Sequence, residues 1–151
     1  LFGLTFCVSS WRLNSREIFI GGLQGYNRAH DGEFVVALTR AMHGLRPKAL
    51  LLFVLQTLAS RWKVKKIQAI SNRTRQLTRR NKLVIADYDQ FWVESGGNLT
   101  RDGSFNLPIV FVPRNLESIK SKKRAIYRCR YQMLSEMESQ ILKNADQFTI
   151  K

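Results

Sequence analysis

Eleven consecutive residues, Ala49-Leu50-Leu51-Leu52-Phe53-Val54-Leu55-Gln56-Thr57-Leu58-Ala59, carry no charge and are apolar on every side for two helical turns. A helix of that kind has to be packed between other elements rather than laid on a surface. It is too short for a membrane span, which takes about 20 residues. The rest of the chain must therefore supply a shell around it, and 151 residues suffice for one domain with a real core.

The run is preceded by His43-Gly44-Leu45-Arg46-Pro47-Lys48. Pro47 suits the first position of a helix, where its missing N–H is no loss. Gly44 permits a sharp approach of the chain, and Arg46 and Lys48 put positive charge where the helix dipole already attracts anions. Two readings follow. Gly44, Leu45, Arg46 and Lys48 form a phosphate or carboxylate site, or the stretch is a tight junction in which Gly44 closes one helix and Pro47 opens the next.

Charge decides which partners to consider. The chain has 25 Lys and Arg against 11 Asp and Glu, a net +14. That excess implies an anionic ligand, an anionic membrane surface or nucleic acid, and says nothing of fold. Two cysteines, Cys7 and Cys129, make no disulfide framework and fit a reducing, cytoplasmic compartment, with the protein peripheral to the inner membrane if an anionic surface is its partner. No signal peptide, membrane span or metal-ligand spacing is visible. The chain opens inside a strand pattern and reads as the C-terminal part of a longer protein.

Leu4 to Ser9 and Glu17 to Ile20 are β-prone and predict a strand pair. The second runs into Gly21-Gly22-Leu23-Gln24-Gly25, which reads as a turn at the strand end, although glycines there also permit a bulge or the close approach of a ligand. Asp31 can cap a helix with Phe34, Val35, Leu38 and Met42 at apolar spacing, ending at His43 with Gly44 just past it. Lys66 to Ser71 reads as a buried strand, and strand, helix, strand predicts a parallel crossover. Phe105 to Phe111 reads as a further strand, with Pro108 placing it at an edge or a bulge. The fold class is α/β (α+β): a mixed, partly antiparallel sheet, a buried central helix and a long C-terminal helix.

From Arg61 to Lys82 there are nine basic residues and no acidic one. A one-signed run of this length is a solvated face or a phosphate-binding one. Asp87 with Gln90 reads as a capping box, and Gly96-Gly97 ends that helix, with Phe91 and Trp92 in the core. Asp87, Asp89 and Glu94 are explained by capping and solvation before acid/base chemistry. A helix from Ser121 carries the apolar stripe Ile126, Met133, Met137, Ile141 and Ala145. Lys122, Lys123 and Arg124 oppose its dipole.

Five stretches occur in an order that resembles the bacterial VirK/YbjX family, whose members are about twice as long. They are Ile20 to Gly25, His43 to Lys48, Ala69 to Asn72, Phe91 to Gly97 and Lys122 to Tyr131. That resemblance implies a bacterial protein linked to virulence, envelope function and stress resistance, and supplies no catalytic residues. Gly21, Gly22, Gln24, Asn72, Trp92 and Glu94, which lie in these stretches, are secondary candidates. The element order is also similar to the GNAT acyltransferase fold, in which two antiparallel strands lead to a loop and helix that bind the pyrophosphate of an acyl-CoA. This second resemblance implies an acyl-CoA cofactor held near Gly44. Gly44-Leu45-Arg46 departs from the usual GNAT loop, and the helix ending at His43 is an insertion. Non-specific nucleic-acid binding rests on charge alone, with no base-reading motif beside it.

Overall fold

The computed structural model describes residues 2–12, 15–25, 32–74 and 87–145. Contacts divide the chain into two units, Leu1–Gly25 with Trp62–Ile109, and Tyr26–Arg61 with Val110–Lys151.

The first unit is a five-stranded mixed sheet. Strands β1 (Gly3–Arg12) and β2 (Ser15–Gln24) pair antiparallel, and β2 pairs parallel with β3 (Lys66–Ala69). The strand β5 (Phe105–Leu107) lies antiparallel between β3 and β4 (Asn98–Leu99), giving the order β1-β2-β3-β5-β4. Directly opposed residues share a face, so Ile18, Ile67 and Leu107 form one buried row and Ile20, Ala69 and Phe105 another. The expected parallel neighbours, Glu17 to Ile20 beside Lys66 onward, are in place.

The strands β1 and β2 run longer than the expected Leu4 to Ser9 and Glu17 to Ile20, β2 continuing through Gly21 and Gly22 instead of turning there, and two other strands stop early. The strand expected to reach Phe111 stops at Leu107. Because β5 is an interior strand, its next residue, Pro108, lacks the N–H that a ladder on both sides requires. The strand expected to reach Ser71 stops at Ala69, although Ile70 N–H still reaches the Ile20 carbonyl at 2.9 Å.

The short helix α3 (Tyr88–Glu94) packs in the same unit. Asp87 caps it by accepting from Gln90 N, as expected, but the Gln90 side chain bonds Glu94 instead of closing a capping box. Gly96 (φ +82°) and Gly97 end it, their N–H groups returning to Val93 and Trp92 carbonyls.

The second unit holds α1 (Gly32–Ala41), α2 (Pro47–Arg61) and α4 (Ser121–Ala145), with a 3-10 turn at Leu116–Ser118. Its core is Met42, Leu45, Phe53 and Leu134, surrounded by Leu38, Leu50, Phe111, Tyr131, Met133 and Met137. The Phe53 and Phe111 rings meet edge to face at 5.5 Å. The all-apolar run is indeed buried, with Leu52, Phe53, Leu55, Gln56, Thr57 and Ala59 all inside.

Both flanking helices bury most of their expected stripes, Leu38 and Met42 on α1 and Met133, Met137 and Ala145 on α4, but the first position of each stripe stays outside. Phe34 is 53% exposed, and it is Leu38 and Met42 that enter the core. On α4, Ile126 is 49% exposed, and Tyr131 and Leu134 join Met133 and Met137 on the inward side. Tyrosine presents an apolar body with a polar tip, so Tyr131 packs its ring near Phe111 while its hydroxyl reaches the Arg114 carbonyl. The proposed cap Asp31 and the basic positions Arg75, Arg79, Arg80 and Lys82 lie outside the described residues.

Candidate functional site

The junction between α1 and α2 is built by backbone geometry. The helix α1 ends at Ala41, earlier than expected, because His43 itself takes the left-handed conformation (φ +51°), followed by Gly44 (φ +77°). Gly44 N–H bonds the Thr39 carbonyl at 2.7 Å and His43 N–H bonds that of Arg40 at 3.0 Å, the paired closure of a helix C-terminus. The chain then reverses, and the Arg46 carbonyl accepts from Ala49 and Leu50 as α2 begins at Pro47.

A residue that the sequence reading left out of this site sits against it. Arg130, on α4, donates from Nε (3.0 Å) and Nη2 (2.8 Å) to the His43 carbonyl. Its guanidinium also lies 4.2 Å from the centre of the Tyr127 ring. A Cβ at Gly44 would stand 2.8 Å from Arg130 Nη2, so the glycine clears space for this arginine as well as for the turn. Arg130 lies within the Lys122 to Tyr131 motif, which is the signal that could have flagged it, but 87 residues of separation hide the contact.

Of the four lead candidates, Gly44 and Arg46 are exposed, Lys48 is half-buried, and Leu45 is a core residue. The first turn of α2 offers fewer donors than a general helix start. Pro47 has none, and Ala49 N–H is directed to Arg46. Three cationic side chains, Arg46, Lys48 and Arg130, thus come from or stand against this junction.

The secondary candidates lie in the other unit. Asn72 is a clasp at the start of α3: its N–H bonds Asp89, its Nδ2 bonds Asp87, and its Oδ1 accepts from Tyr88 N–H. The Gln90 N–H first, and then the Asn72 Nδ2, hold the Asp87 carboxyl below its ordinary pKa. Trp92 is fully buried and gives its indole N–H to the Ile70 carbonyl at 2.9 Å. The Tyr88 hydroxyl accepts from Leu23 N–H and donates to the Leu23 carbonyl, tying α3 to β2. Glu94 is exposed and bonded by Gln90. Gly21 is the bulge residue of β2, where Thr5 faces Gly22 and Phe6 faces Ile20. A Cβ at Gly21 or Gly22 would meet nothing within 4 Å. Gln24 ends the strand, exposed, opposite Gly3.

Among the described residues, no three His, Cys, Asp or Glu side chains gather as a metal site, and no helix is long and apolar enough to cross a membrane. Fold and junction together define a basic α/β protein with one mixed sheet and an arginine-braced turn between helices.

The chain belongs to the family described as "Protein of unknown function (DUF535)", whose model matches residues 1–143; this is the VirK/YbjX family. It is 36% identical over 143 residues to "Uncharacterized protein YbjX" of Escherichia coli (strain K12), covering 91% of this chain and 43% of that one. An "Uncharacterized protein" of Haemophilus influenzae is 34% identical over 128 residues, covering 83% of this chain and 43% of that relative. The chain thus spans less than half the length of the curated relatives it matches. No solved structure matches it.

Proposed function

We propose that this protein binds a phosphate-bearing ligand of the acyl-CoA class at Gly44, Arg46 and Lys48, and that its family works in acyl transfer at the bacterial envelope. The observation that carries the reading is the order and pairing of the elements. An antiparallel pair β1–β2, bulged at Gly21, is followed by the Gly44 loop and α2, then by β3 beside β2, the short α3 and the hairpin β4–β5. That is the order in which the GNAT fold arranges its strands around the loop and helix that bind acyl-CoA. The helix α1 and the sequence Gly44-Leu45-Arg46 are departures from it. The VirK resemblance supports a role in virulence and stress resistance.

Titration calorimetry with CoA and acyl-CoAs tests the site. A charge-assisted hydrogen bond contributes roughly 1.5–3 kcal/mol, so Arg46→Ala should weaken binding by about tenfold or more. Lys48→Ala should do less, because an ammonium lacks the bidentate fork. Equal binding by wild type and Arg46→Ala would remove the ligand from this junction. No binding of any phosphate compound would leave it a structural turn braced by Arg130.

A further inference from the structure

The first unit presents one strand that its own sequence leaves ready for a neighbour. Among the described residues, β1 is an edge strand ten residues long. Edge strands are ordinarily blunted by lysine, proline or inward charges, which prevent another strand from adding to them. Gly3-Leu4-Thr5-Phe6-Cys7-Val8-Ser9-Ser10-Trp11 contains no charged residue and no proline. Phe6 to Ser10 runs in unbroken register with β2, between one bulge at Gly21 and a second irregularity between Ser10 and Arg12.

The apolar rows of the sheet continue onto this strand. Val8 lies opposite Ile18, and Phe6 opposite Ile20. Ile18, Ile20, Ile67 and Ala69 are completely buried, yet Phe6 and Val8 emerge at 38% exposure each. Among the described residues the core face runs out to this edge with no further strand beside it, in a row that one more strand would extend.

We propose that β1 is the acceptor for a further strand, supplied by the part of the longer family chains that lies outside the stretch matched here. Length supports this occupant: the stretch shared with the Escherichia coli relative is 43% of it, so more than half of that chain lies elsewhere. A strand from the same polypeptide also pairs at high effective concentration. A second copy is disfavoured, because edge-to-edge pairing would bring together two chains of net charge +14. One strand pair also falls well short of the roughly 1,000 Å² that a stable interface needs.

Hydrogen exchange read by NMR on the 151-residue chain and on the full-length Escherichia coli relative tests this, each at several protein concentrations. The expected result concerns the amides from Phe6 to Ser9 that do not bond β2. They should exchange at edge-strand rates in this chain, and at least about a hundredfold more slowly in the matching segment of the relative. Equally fast exchange in both proteins would overturn the proposal, since the edge would then be open in the longer chain too. Protection in the 151-residue chain that rises with concentration would overturn it in favour of a second copy. Protection there that is independent of concentration would overturn it as well, because the chain would already cover its own edge.

Discussion

The Arg130 guanidinium grips the His43 carbonyl with two nitrogens, at 3.0 and 2.8 Å, and so ties the middle of α4 to the turn that separates α1 from α2. The turn needs that brace because two successive residues, His43 and Gly44, hold positive φ, and only one of them is a glycine. Arg130→Ala leaves the carbonyl unpaired in a half-buried place and should cost about 1.5–3 kcal/mol in urea unfolding. Gly44→Ala should cost about 1–2 kcal/mol for the left-handed backbone, plus displacement of Arg130. In the double variant the clash with Arg130 is gone, so the two losses should sum to less than their separate values. Strict additivity would mean that Arg130 does not depend on the glycine.

A second test falls on the Asn72 clasp. Asn72→Ala removes two side-chain bonds from the start of α3, one to the Asp87 carboxylate and one from Tyr88 N–H. A loss of about 1–3 kcal/mol is expected. Tyr88→Phe should cost a similar amount, because both the N–H and the carbonyl of buried Leu23 lose a partner. If either variant unfolded at the wild-type denaturant midpoint, the clasp would be ornamental.

Gly97 is a packing constraint rather than a hinge. A Cβ there would lie 2.6 Å from Leu107 Cδ2 and 2.9 Å from the Trp92 carbonyl oxygen. The leucine can shift, but the carbonyl belongs to the last turn of α3 and cannot move freely. Gly97→Ala should therefore destabilise by about 1–3 kcal/mol, with Trp92 fluorescence reporting the disturbance. Gly21→Ala is the control: its Cβ meets open space, and its effect should be within about 0.5 kcal/mol.

The turn before β5 sets an acid-side dependence. The Thr100 hydroxyl, then the Ser104 N–H and hydroxyl, hold the Asp102 carboxyl at about 2, below its ordinary 3.8. A carboxyl depressed in the folded state adds stability that is fully present above its unfolded value and is lost as pH falls through the folded one. Stability should therefore decline between about pH 4 and pH 2 in part through this residue, and Asp102→Asn should flatten that part of the profile. A carboxyl resonance of Asp102 titrating near its ordinary value would contradict the arrangement.

Much of this molecule follows from local pattern. The uncharged run from Ala49 to Ala59 could only be a buried helix, because nothing on its surface can face water. The β-prone stretch at Glu17 to Ile20 and the apolar one from Lys66 read as strands, and the helix between them made them parallel neighbours. Asp87 and the glycine pair at Gly96 bounded α3, since caps and left-handed stops are chemistry of the adjacent residues alone.

Other features depended on residues far apart in the chain. Pro108 ended β5 because that strand is interior, a position no local sequence declares. Asn72 and Trp92, both secondary site candidates, make hydrogen bonds that span 15 to 22 residues. Gly44 reads in the sequence as a clearing beside the helix start, and only the packed structure brings Arg130 from the same chain against it. Apolar periodicity reports which side of an element avoids water. Which polar group meets which carbonyl is decided only when distant segments pack, because a hydrogen bond needs its partner within about 3 Å.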